Sequence, residues 1–209
     1  MGDSMSTIIN ATTTNGVVIQ PDNSGSLVLQ TNSGTTALTI DTSQNATFAG
    51  TLTATGKLVA SSMPTGSVLQ VVNATYSTET TIISTSYTNT GLSASITPSS
   101  ASNKILVIVG QTIIASRTTA SELGSVNLVR GATQVMEITR ALGLEAGNGS
   151  GGSYTNFGTI GFSYLDSPST TSSTTYKTQA KASSTANSGY VECQSGSSTS
   201  TLTLIEVKG

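Results

Sequence analysis

From residue 67 to residue 207 the sequence is a succession of short runs rich in Thr, Val and Ile, each closed by a cluster of Ser, Asn, Gly or Pro. This spacing limits the available folds more than any other feature. The runs cover 67–76, 80–88, 92–97, 104–114, 125–130, 134–140, 155–165, 174–182, 190–194 and 200–207. β-Branched side chains suit a pleated, half-buried surface. Pro98-Ser99-Ser100-Ala101-Ser102-Asn103 and Asp166-Ser167-Pro168 are turn formers. Eight to ten strands at this spacing predict a sandwich or jelly roll. The one stretch with helical character, 139–146, runs into Gly147-Asn148-Gly149 and is too short to stand as a helix.

Composition turns this β pattern into an expectation about assembly. Hydrophobic residues make up 35% of the 209 residues and charged residues 9%, while Ser and Thr supply roughly a third. Disorder would need high net charge and few β-branched residues, but the formal charge is -2 and Val, Ile and Thr abound. The chain therefore reads as ordered, with a thin core that buries little apolar surface at about 25 cal/mol per Å². Self-association is the natural remedy, because an interface removes apolar stripes from water that a lone chain would expose. Ile105, Leu106, Val107, Ile108 and Val109 are apolar on both faces of one strand, as expected for a strand central in a sandwich or pressed against a partner subunit.

The first 63 residues follow a different rhythm. Gly16, Gly25 and Gly34 recur every nine residues, and Asn23-Ser24-Gly25 matches Asn32-Ser33-Gly34. Between them lie Val17-Val18-Ile19, Leu27-Val28-Leu29 and Leu38-Thr39-Ile40. Strands this short cannot stand alone. Three units are the lower limit for a solenoid, so an intertwined shaft of three chains is preferred, with Ile19, Leu27, Leu29, Leu38, Ile40, Phe48 and Leu52 stacked on a shared axis. Asp22 and Asp41 fall in its turns, where side-chain-to-backbone bonding accounts for them. Gly56, Ser61-Ser62 and Pro64-Thr65-Gly66 mark a joint, giving an N-terminal attachment and shaft region at 1–63 and a head at 64–209.

Much chemistry is missing. There is no histidine, the commonest general base and metal ligand, so a Ser-His-Asp triad cannot be assembled. Glu122, Glu137, Glu145, Asp166 and Glu192 could pair for glycan cleavage, but none sits in a signature. Gly147-Asn148-Gly149-Ser150-Gly151-Gly152 precedes no Lys-Ser/Thr, so it is not a phosphate loop. We expect no catalytic residue, no metal and no cofactor. The single cysteine, Cys193, excludes an intramolecular disulfide and reads as a small buried hydrophobe. Eight basic residues are scattered among ten acids, so no patch is built for nucleic acid. No run of 18 apolar residues occurs, and the N-terminus lacks a basic segment followed by an apolar one, so neither membrane insertion nor a secretory leader is expected.

The longest connection, 143–157, is rich in Gly and closed by Tyr154 and Phe157. Long loops on rigid β scaffolds are where recognition sits. Asn148, Tyr154 and Phe157 are thus the candidate contact residues, with rings to stack on sugar faces and an amide to bond hydroxyls.

Two sets of residues carry a family resemblance. The stretch from Gly25-Ser-Leu-Val-Leu-Gln to Asn45-Ala-Thr-Phe48 resembles the repeat near the start of fibre-like proteins of marine tailed phages. Ile96-Thr-Pro-Ser-Ser-Ala-Ser-Asn-Lys-Ile-Leu-Val107, Tyr164-Leu-Asp-Ser-Pro168, Thr175-Tyr-Lys-Thr-Gln179 and Thr201-Leu-Thr-Leu-Ile-Glu-Val207 resemble their jelly-roll heads. The resemblance implies a homotrimer with a tumour-necrosis-factor-like head on the virion surface, assembled in the host cytoplasm. It would join another virion protein through its N-terminal region and contact a host cell-surface glycan or protein. No catalytic residue is carried across. The sequence leads us to expect neither the long shaft nor the tail-binding N-terminal domain usual in tail fibres. A capsid-decorating or head-fibre knob with a purely structural role therefore stands as the alternative, and a glycan-cleaving tailspike as a remote third.

Overall fold

The computed structural model describes residues 25–31, 34–51, 63–118, 123–143 and 153–209. The chain divides into two compact units, Met1–Lys57 and Leu58–Gly209. Throughout the described residues it is all-β, built from antiparallel sheets.

In the first unit, β1 (Leu27–Thr31), β2 (Thr35–Ile40) and β3 (Ala46–Phe48) form a meander in that order. Gly34, with φ +99, precedes β2 in a conformation that L side chains rarely adopt. Asp41 closes the next turn: its Oδ1 accepts from Ser43 N and Asn45 N, both at 2.9 Å, and its Oδ2 from Asn45 Nδ2 at 3.0 Å. The Asn45 amide, ahead of the backbone bonds, holds the Asp41 carboxyl below its usual range. These strands pair antiparallel within one chain, unlike the parallel rungs of a β-helix.

The second unit has two sheets. One runs β4 (Val68–Tyr76), β13 (Ser200–Val207), β7 (Lys104–Thr118), β12 (Tyr190–Cys193) and β5 (Thr80–Ile82), with β10 (Ser153–Asp166) on the other edge of β7. β7 is long enough to be shared on one edge: residues 104–110 pair with β13 and 113–116 with β12. The other sheet runs β6 (Thr88–Ile96), β11 (Thr174–Ala182), β8 (Leu123–Arg130) and β9 (Thr133–Gly143).

The sheets face each other across a core drawn from both. Leu92, Ile96, Leu128 and Tyr176 pack against Ile105, Val107, Val109, Leu202 and Leu204. A second cluster joins Val126, Ala180 and Ala182 to Ile82, Ile113, Ile160, Val191 and Cys193. Hydrogen-bonded polar residues are buried between the sheets as well, chief among them Thr90, Gln111, Thr178, Gln194 and Ser200, each fully buried.

The observed strands follow the sequence pattern closely, with two differences in the first half of the head. The run 80–88 is broken after Ile82, because Ser84 Oγ donates to Ser86 O and accepts from Ser86 N, both at 3.0 Å. That local turn competes with the ladder. β6 starts at Thr88, four residues early, and runs through Gly91 at φ +91, where the Tyr76 ring occupies the space a Cβ would need.

Candidate interaction surfaces

The two outward faces of the sandwich differ in kind. Along β7, Ile105, Val107 and Val109 point into the core, which leaves Leu106 and Ile108 on the outside. Registers extend this face across four strands. Val71, Ile205, Leu106 and Leu165 form one row. Asn73, Thr203, Ile108 and Ser163 form the next, and Thr75, Thr201, Gly110 and Gly161 a third, nearly flat one. Val71 is 58% exposed, Leu165 51% and Ile108 42%, with Val68 at 57% beside them. None of these twelve row positions carries a charge. Five of the twelve are large apolar residues, Val71, Ile205, Leu106, Leu165 and Ile108, and Lys104 stands in the adjoining row opposite Val207; open apolar side chains grouped this way mark a candidate contact surface.

The opposite face is polar and largely bonded to itself. Gln179 Nε2 donates to Asn89 Oδ1 at 3.0 Å, and Asn127 Nδ2 to Gln134 Oε1 at 2.8 Å. Tyr87 OH donates to Glu137 at 2.6 Å, while Lys181 Nζ lies 3.5 Å from the same carboxylate and 4.3 Å from the centre of the Tyr87 ring. Burial and the Glu137 carboxylate push the Tyr87 hydroxyl up, and the Tyr87 bond holds Glu137 down.

In the first unit, registers set Leu27 opposite Ile40, Leu29 opposite Leu38, and Leu38 opposite Phe48, so these five share one face of the meander. Leu29 is 42% and Phe48 45% exposed, so the face is only partly covered within the chain. Ile19 and Leu52 lie outside the described residues.

The candidate contact residues of 143–157 separate. Asn148 lies outside the described residues. Tyr154 and Phe157 belong to β10, paired with Arg117 and Ile114 of β7; Phe157 lies in the run 155–165 as the sequence indicates, while Tyr154 is in the strand rather than in the connection before it. The side chain of Tyr154 is likewise outside what is described. Phe157 is on the outward face and 71% exposed, the most open of the large apolar residues described. It borders a cleft of about 470 Å³ with Thr112, Ile114, Thr159, Ser195 and Ser198 among the other lining residues.

The described carboxylates occupy distinct settings. Asp166, 5% exposed, accepts from Arg130 NH1 at 2.8 and 2.7 Å and from Tyr176 OH at 2.6 Å, clasping β10 to β8 and β11. Asp166 in turn holds the Arg130 guanidinium above its ordinary value. Burial, then the Asp166 bond, pushes the Tyr176 hydroxyl up. Glu192 is set beside Ile114 by the register of β12. Glu122 and Glu145 lie outside the described residues. Among the described residues no three His, Cys, Asp or Glu side chains come together as metal ligands, and no helix is long and apolar enough to cross a membrane. Cys193 is fully buried in the core, and burial pushes its thiol up to about 12.

Sequence reasoning missed Glu206. It is 1% exposed, and its Oε1 accepts from Asn103 Nδ2 at 2.6 Å, Ser99 N at 2.7 Å and Ser99 Oγ at 2.8 Å, while Oε2 accepts from Gln70 Nε2 at 2.6 Å. Burial pushes this carboxyl up, but the donors outweigh it, so its pKa lies below the ordinary value. This hub fixes the β6–β7 connection to β4 and β13.

No family model matches the chain, and no curated protein matches it. Among solved structures it is similar to the infectious bursal disease virus Gt strain structure, at 12% identity over 83% of this chain and 47% of that one, with a TM-score of 0.33. It is also similar to the Gx strain structure, at 16% identity over 74% of this chain and 42% of that one, again with a TM-score of 0.33. The chain spans less than half the length of either.

Proposed function

We propose that this chain is a non-catalytic structural protein of a virus particle surface. In this reading it forms a homotrimer whose heads pack through the Val71–Ile205–Leu106–Leu165 end of the outer face of the β4-β13-β7-β10 sheet. The supporting observation is that face: three uncharged rows with Val71, Ile108 and Leu165 open to solvent, opposite a face that bonds to itself. Closed symmetric association removes such a patch from water on every copy.

The strand order supports a jelly-roll head. β4-β13-β7-β10 faces β6-β11-β8-β9, and the chain crosses between sheets as two nested Greek keys would require. Three copies, rather than two, follow from the resemblance of the repeat and head motifs to trimeric phage fibre proteins. The half-covered face of Leu27, Leu29, Leu38, Ile40 and Phe48 would be closed by neighbouring copies, with attachment to another virion protein through the N-terminal region. In this reading the head is the part of this surface appendage that contacts the host.

Immunogold labelling of intact particles with an antibody to this chain tests the reading. Gold at a tail or fibre tip is the expected outcome. Gold spread evenly over the capsid would favour the decorating or head-fibre knob. Intact particles that carry no label would overturn a surface role.

A further inference from the structure

We infer that the cleft beside Phe157 is a binding site for a neutral sugar. It deepens the host-contact part of the proposed function and rests on that reading only for where the sugar comes from.

The cleft lies on the outward side of the sheet, where Thr112 and Ile114 of β7 meet Phe157 and Thr159 of β10. Ile114 is eight positions along β7 from Leu106, roughly 26 Å at about 3.3 Å per residue, so the Phe157 end of the cleft stands apart from the row that Leu106 shares with Val71, Ile205 and Leu165, while its Thr112–Thr159 end adjoins the Gly110–Gly161 row. Its far wall is the turn between β12 and β13, where Ser195, Gly196 and Ser198 line it.

That turn is held in shape before any ligand arrives. Gln194, Gly196 and Ser197 have φ of 56, 59 and 62, a conformation non-glycine residues keep only when their surroundings impose it. The surroundings do so here. Gln194 is fully buried, Ser198 Oγ donates to Ser195 O at 2.7 Å and lies 3.3 Å from Thr112 Oγ1, and Gly196 N donates to Glu79 at 3.2 Å. A preformed wall lowers the entropic cost of binding.

The lining selects the ligand. An exposed ring whose π face is electron-rich attracts the polarised C–H bonds on one face of a pyranose. Thr112, Thr159, Ser195 and Ser198 are hydroxyl-bearing, suited to a ligand rimmed with hydroxyls of its own. The described lining carries no charge, and the two acids that flank it are Glu192, beside Ile114, and Glu79, bonded to the turn. That setting disfavours sialic and uronic acids and leaves neutral sugars. A volume of about 470 Å³ accommodates roughly one or two sugar rings, within the usual range of ligand clefts.

The test titrates the purified full chain, by ligand-observed NMR and calorimetry, with the methyl glycosides of glucose, galactose and mannose and with N-acetylglucosamine. N-acetylneuraminic and glucuronic acids serve as anionic counterparts. We expect at least one neutral sugar to bind at millimolar strength or better and the acids to bind more weakly. Phe157→Ala should weaken that sugar about tenfold, and Phe157→Trp should retain it. Thr159→Val tests the hydroxyl rim while keeping side-chain shape, and should weaken binding as well. Leu165→Ala, on the same strand but outside the cleft, should leave it unchanged. The inference is overturned if no neutral sugar binds, if acidic sugars bind better, or if Phe157→Ala binds like wild type with unchanged melting. Labelled particles without sugar binding would sink this inference alone, whereas sugar binding by a protein absent from particles would sink only the virion reading.

Discussion

Thr178 donates its hydroxyl to Gln111 Oε1 at 2.8 Å, joining β11 of one sheet to β7 of the other inside the sandwich. Thr90 meets the same Thr178 hydroxyl at 2.5 Å, and Gln111 Nε2 lies 3.0 Å from Ser200 Oγ. In the orientation that satisfies its amide, Gln194 donates to Cys193 O and Thr90 O and accepts from Gln111 and Ser200. Such a buried network is stabilising only while every member is satisfied.

Gln111→Leu should therefore destabilise the head by roughly 1–3 kcal/mol, because Thr178 and Ser200 lose a partner without regaining water. Urea unfolding read by tryptophan-free probes such as far-ultraviolet dichroism would measure it. An unchanged midpoint would mean that this buried belt of Thr90, Gln111, Thr178, Gln194 and Ser200 does not hold the sheets in register.

Glu206 should give the head an acid limb. Its folded pKa is lowered from the ordinary 4.5, so its stabilisation is complete above that value and is lost as pH falls through the folded pKa. Glu206→Gln should lower stability at neutral pH and flatten the loss between neutral and acid, in urea midpoints taken at several pH values. Parallel pH profiles for the variant and wild type would remove Glu206 from the account.

Leu38→Asp tests the meander. Leu38 is flanked by Leu29 and Phe48 on the same face, and in a trimer three added carboxylates would converge on a surface proposed to be dry. Limited proteolysis should cut the N-terminal unit faster while head melting is kept. Wild-type protease resistance would show that this face looks into solvent.

Much of the head was legible because β-branched runs closed by turn-forming clusters mark strands and their ends. The unbroken apolar run 105–109 marked β7, although only the structure separates inward Ile105, Val107 and Val109 from outward Leu106 and Ile108, and the Ser, Asn and Pro clusters marked most strand ends. Gly91 and the Ser84–Ser86 turn were missed, since a bulge and a side-chain turn leave the composition of a run unchanged. The belt left a faint signal: Gln111 stands at an inward position between Val109 and Ile113, and Thr178 between Tyr176 and Ala180. A polar residue in phase with a core stripe is the sign of a buried network, but its partners lie up to 89 positions apart in sequence and only the fold brings them together. Phe157 fell both in the run 155–165 and at the close of the connection 143–157; the sequence cannot show that β7 extends to Thr118 and that β10 pairs with it from Ser153.

The central claim is self-association through the uncharged outer face. It is tested most directly by the mass of the purified chain in multi-angle light scattering at micromolar concentration, beside Val71→Glu and Leu165→Glu, which place charge in its first row. The account predicts a wild-type mass near three chains of 21.1 kDa and a shift toward single chains in both variants, with the β signal in dichroism kept. A stable folded wild-type monomer at that concentration, or a trimer untouched by both substitutions, would contradict it.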